Sequence, residues 1–200
     1  MKIVVICTVR SGTTTLIDGL SNSLSIDPIT IPYDYHGEYN FDTLVNQALN
    51  RRDTIVRFSP IQQEYSFVES IIKKFDYCIL LDRKNKQEQY ESFLWMVYCL
   101  SHSNNRLLLH SSYDLDSIPK LIKENPLNED KWKNILSLSN QMHTLSDRLN
   151  IPILYYEDLF YSNKGFELLS ESIPYLDIYK LKEYFSSTSK LRTTKIKSVI

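Results

Sequence analysis

The opening twenty residues restrict the fold more tightly than any other stretch of this chain. Lys2–Ile6 (KIVVI) reads as a short buried strand, Cys7–Thr15 (CTVRSGTTT) as a small-residue turn, and Leu16–Leu20 as a helix under way. A strand that runs through a Gly/Ser/Thr turn into a helix start aims several unpaired backbone N–H groups at one point. The helix dipole favours negative charge at the same point. Arg10 adds a permanent cation beside that nest. The arrangement suits a phosphate or sulfate group.

The remaining chain repeats the alternation. Apolar, β-rich runs recur at Thr54–Phe58, Tyr77–Leu81 and Ile151–Tyr155. Helical patterns cover about Thr13–Leu24, Phe41–Asn50, Tyr65–Lys74, Lys86–Cys99 and Asp130–Leu149. Strands alternating with amphipathic helices predict one α/β domain over residues 1–200, a three-layer α/β/α fold around a central, mainly parallel sheet. Segments 25–40 and 101–128 lack periodicity and are expected to be irregular loops, the usual carriers of substrate contacts. The basic stretch Thr188–Ile200 reads as an arm or a strand.

Charge and cysteine usage narrow the function classes. A net charge of -1 argues against a general nucleic-acid binder. Cys7, Cys78 and Cys99 form no C-x-x-C pair and leave an odd thiol, which points to a reducing compartment. No charged segment leads into a long apolar run, and no stretch has membrane-spanning length. A cytoplasmic protein without a membrane partner is expected. Oligomeric state is not written in the sequence.

Several anion-loop chemistries fail on residue identity. A phosphate loop of the G-x-x-x-x-G-K-[ST] type, with its second Gly at Gly12, has Cys at position 7 and Thr at position 13. A tyrosine-phosphatase loop counted from Cys7 would need Arg where Thr13 stands, so Cys7 reads as a buried apolar residue rather than a nucleophile. The three spaced glycines of a dinucleotide fingerprint are absent.

What remains is R-S-G-T-T after the first strand. It resembles the 5′-phosphosulfate-binding loop of the sulfotransferases, with Val9 in place of the usual Pro. Arg83-Lys84-Asn85-Lys86-Gln87-Glu88-Gln89-Tyr90-Glu91-Ser92 is similar to the R-R-[DN]-x-x-x-Q-x-x-S segment of the bacterial trehalose-type sulfotransferases. In those proteins a basic residue and a serine hold the donor's 3′-phosphate. Lys84 stands eight positions before Ser92 and Arg83 nine, so either could be the basic partner. Lys84 departs from the usual Arg and loses its bidentate fork. Asp82 would repel a phosphate unless it points away. His36-Gly37-Glu38-Tyr39 resembles a G-E pair whose glutamate is the proposed general base. Ile153–Leu159 (ILYYEDL) resembles a strand-ending Y-E-D-L of the same superfamily, a structural support there. Arg57–Gln62 (RFSPIQ) has a weaker likeness.

The resemblance implies a P-loop-like sulfotransferase fold and a set of roles. The donor would be 3′-phosphoadenosine 5′-phosphosulfate (PAPS), leaving 3′-phosphoadenosine 5′-phosphate (PAP). Arg10 would neutralise the leaving oxygen. The amides of Ser11, Gly12, Thr13 and Thr14, with the two threonine hydroxyls, would cradle the 5′-phosphosulfate. Arg83 or Lys84, with Ser92, would select the 3′-phosphate. Glu38, or else His36, would take the acceptor's proton. No metal is implied, and His102, His110 and His143 have no supporting context. Arg192 and Lys195 either close over the donor or belong to a solvated tail. Tyr33, Tyr35, Tyr39 and Tyr113 in the two loops suit a small-molecule or carbohydrate hydroxyl as acceptor. Two other readings stay open: a P-loop-like nucleotide-dependent kinase, and a non-catalytic nucleotide-binding relic of the fold.

Overall fold

Ile3 to Cys7 are all buried, a run that only a strand covered on both faces can bury. A computed structural model describes residues 1–29, 41–58, 65–102 and 129–196. In it β1 (Lys2–Cys7) lies at the centre of a five-stranded sheet ordered β2-β3-β1-β4-β5. The other strands are β2 (Pro28–Ile29), β3 (Thr54–Phe58), β4 (Tyr77–Asp82) and β5 (Ile153–Tyr155). Every pairing is parallel. The expected α/β fold with a parallel central sheet is therefore present.

Eight helices occur among the described residues. They are α1 (Thr13–Leu24), α2 (Phe41–Leu49), α3 (Tyr65–Ile72), α4 (Lys86–His102), α5 (Glu129–Leu149), α6 (Tyr156–Phe160), α7 (Lys164–Ser172) and α8 (Ile178–Ile196). The two-residue period of β1 divides the core. Ile3, Val5 and Cys7 join Leu16, Ile17 and Leu20 of α1, Phe166 and Leu169 of α7, and Leu181 and Phe185 of α8. Val4 and Ile6 face the opposite layer with Val45 and Ala48 of α2, Val68 and Ile71 of α3, and Met142 and Leu145 of α5. Helices thus cover both sheet faces.

Several expected boundaries shift for physical reasons. β5 begins at Ile153 rather than Ile151, because Pro152 has no N–H to give a ladder. Segment 25–40 contains the short strand β2 within its described part, and residues 101–102 extend α4. The region from Thr188 is helical as far as Ile196, neither arm nor strand. Gly19 lets the first half of α8 pack closely on α1, since a Cβ there would lie 2.8 Å from Leu181 Cδ1. Ser23 Oγ donates to the Asp177 carbonyl at 2.6 Å, so α8 runs antiparallel to α1 and its basic end continues toward the start of α1. Among the described residues no helix is long and apolar enough to cross a membrane.

Candidate active site

Strands β1, β4 and β5 are parallel neighbours, so their C-terminal ends share one edge of the sheet. Three connections leave from there: residues 8–12 after β1, residues 83–85 after β4, and α6 directly after β5.

The first loop is shaped from within. The Thr8 N–H donates to the Leu81 carbonyl at 3.1 Å, which extends the β1–β4 ladder by one residue. Ser11 Oγ donates to the Thr8 carbonyl at 2.8 Å and lies 3.2 Å from Thr13 Oγ1. Arg10 (φ 59°) and Gly12 (φ 84°) both occupy the left-handed region. Gly12 caps α1, and no side chain caps that helix end. The first-turn amides of Thr13 and Thr14 have no intrahelical acceptor, which is the geometry that receives an anion. Thr14 is exposed there, whereas the Thr13 hydroxyl turns inward to Ser11.

Arg10 reaches across the sheet edge. Its Nε donates to Ser92 Oγ on α4 at 2.9 Å, joining positions 82 residues apart. The two sequence motifs, the R-S-G-T-T loop and the segment ending at Ser92, thus meet in space.

The basic pair takes a different direction. Arg83 is almost buried, with Nη2 donating to Glu88 Oε2 at 2.6 Å and its guanidinium 4.6 Å from the Tyr156 ring centre. Lys84 Nζ donates to Asp158 Oδ1 at 2.7 Å. The Lys84 ammonium is held above its usual lysine range mainly by that hydrogen bond. Ser92 is brought to Arg10, while Arg83 and Lys84 face carboxylates. The Glu157 carboxylate accepts from the Lys84 and Asn85 amides, both at 2.9 Å, and so braces the start of α4. Tyr156–Phe160, which follows the expected strand end at Tyr155, is a short helix that carries this brace.

Beneath the loop lies a buried polar network that residue-by-residue reading missed. Asp82, 0% exposed, accepts from Thr8 Oγ1 at 2.8 Å, from Ser139 Oγ at 2.6 Å, and from Lys86 Nζ at 2.7 and 2.8 Å. It therefore points into the protein, away from the loop's outer face. Gln89 Nε2 donates to Thr8 Oγ1 at 2.9 Å and to the Val9 carbonyl. The Q of the α4 motif was the one sequence signal for Gln89. Lys86 carried none beyond its spacing of four from Asp82.

Glu38 and His36, the expected bases, lie outside the described residues, as do Tyr33, Tyr35, Tyr39, Tyr113 and His110. His143 is exposed on α5. Cys7 is fully buried in the core, as its apolar reading requires. Burial pushes the Cys78 thiol up to about 12. Cys7, fully buried, should not be alkylated by iodoacetamide at pH 8 in the folded protein, whereas Cys78 is half-buried; peptide mass spectrometry showing rapid labelling of Cys7 would contradict its burial. Among the described residues no group of three His, Cys, Asp or Glu side chains is placed to hold a metal ion. No family model, curated protein or solved structure significantly matches this chain.

Proposed function

We propose that this protein is a sulfotransferase with a P-loop-like fold, moving a sulfuryl group from PAPS to an acceptor hydroxyl, with a carbohydrate or small alcohol as the acceptor class. The observation that carries the reading is the Arg10–Ser92 contact. It sets a permanent cation at the mouth of an uncapped helix N-terminus and holds it from a second element. In the reaction the acceptor oxygen forms a bond to sulfur while the bond from sulfur to the 5′-phosphate oxygen breaks. Negative charge grows on that departing oxygen. Arg10 and the first-turn amides of α1 would stabilise it, a contribution of positioned charge and dipoles. The acceptor's proton would pass to Glu38 or His36. The 3′-phosphate would be read beside α4, by Ser92 with Arg83 or Lys84 released from their carboxylates.

The kinase reading asks for a Walker lysine and an acid free to hold a metal. Asp82 ends the strand beside β1, where such an acid would stand, but its oxygens already accept from Thr8, Lys86 and Ser139. That saturation favours sulfuryl transfer.

Thermal stability with PAP, against ATP, tests the proposal. Ligand at a hundred times its Kd stabilises by about 2.7 kcal/mol, a rise of about 5–10 °C for a domain of this size. The expected result is a rise with PAP, little with ATP, and none in Arg10→Ala. No rise at millimolar PAP would remove the sulfotransferase reading.

A further inference from the structure

We propose that the buried Asp82–Lys86 pair sets the anion affinity of the β1–α1 loop, with Lys86 serving as a fixed counter-cation that touches no ligand. The inference deepens the sulfotransferase reading and rests on it for the identity of the anion. The pair lies directly under the loop: Asp82 Oδ1 accepts from Thr8 Oγ1, and that same hydroxyl accepts from Gln89, which also donates to the Val9 carbonyl. A full negative charge with no exposed surface, so close below an anion nest, opposes phosphate and sulfate alike unless it is compensated.

Lys86 supplies that compensation. Its ammonium faces three acceptors, Asp82 Oδ1 and Oδ2 at 2.7 and 2.8 Å and Gln89 Oε1 at 3.4 Å, which match its three protons. With its donors committed downward, the ammonium is a positioning charge and does not grip the ligand. Lys86 is the first residue of α4, four positions after Asp82 at the end of β4, and its stem folds back to reach that carboxylate.

A field effect and a merely structural effect differ in sign. Lys86→Met uncovers the Asp82 charge and should weaken anion binding about tenfold or more, the scale of one unit charge a few ångströms away in a partly screened site. Asp82→Asn keeps the side-chain shape and the acceptor for Thr8 but leaves Lys86 uncompensated, so it should bind anions several-fold tighter, even as the fold loses stability. Asp82→Asn/Lys86→Met should return affinity to near the wild-type value. A role confined to loop shape weakens all three.

Titration calorimetry of the full chain with PAP and with inorganic pyrophosphate, alongside the melting temperature of each variant, reads the difference. Opposite signs for the two single variants support the proposal. Weaker binding in Asp82→Asn overturns it, and that variant with the double one decides the matter if Lys86→Met does not fold. Wild-type protein that takes pyrophosphate but not PAP would sink the donor reading, while the same three signs on pyrophosphate still judge the pair. Wild-type protein that takes neither overturns both.

Discussion

Gly12→Ala is expected to destabilise the protein by about 3 kcal/mol or more, a fall in melting temperature of about 6–12 °C. Two effects act together. The backbone at Gly12 has φ 84°, a conformation that costs an L-residue roughly 1–2 kcal/mol. A Cβ built there lies 2.5 Å from Tyr156 Cδ2 and 2.8 Å from Cε2. The ring has little freedom to retreat, because it stacks on Phe160 with centroids 4.2 Å apart and lies against the Arg83 guanidinium. Urea denaturation would measure the loss. A change below about 1 kcal/mol would mean that the loop leaves β1 by another path.

Glu157→Ala should cost about 2–3 kcal/mol and lower anion affinity as well. The carboxylate is mostly covered and accepts two backbone amides just ahead of α4. Charge-assisted bonds of this kind are worth more than neutral ones, and a carboxylate at a helix start is favoured by the dipole. Removing it frees the helix that carries Gln89 and Ser92, so the damage spreads to the loop. Asp158→Ala is the contrast. Its ion pair with Lys84 is half exposed, so the cost should stay under about 1 kcal/mol. Equal losses in the two variants, read by denaturation, would refute the brace.

The parts of this fold that were legible in the sequence are those where one pattern dominates. β1, β3, β4 and α1 announce themselves because a strand buried on both faces is continuously apolar and α1 is cleanly amphipathic. β2 escapes because two residues, one of them proline, carry no period. α8 escapes because its serines, threonines and aromatics are poor helix formers; packing of Leu181 and Phe185 under Gly19 overrides that preference. At the site, the loop and Ser92 were readable from residue type and spacing. The Asp82–Lys86–Gln89 network was not, because its partners come from the β1–α1 loop, β4, α4 and α5, and only the assembled sheet brings them together.

The β1–β4 pairing has an ambiguity that apolar burial alone cannot resolve. A slip of one residue would exchange the two faces of a strand that is apolar on both, and a slip of two would keep each side chain on its own face. It would also carry Asp82 about 7 Å along the strand from Thr8. The Thr8–Asp82, Arg10–Ser92 and Gln89–Val9 bonds span 74, 82 and 80 residues, and all three form only in the native alignment. The polar cluster at the C-terminal end of β1 is therefore expected to favour the native strand alignment over a slipped one. Anion-binding competence should emerge late in refolding, after secondary structure and hydrophobic collapse are complete.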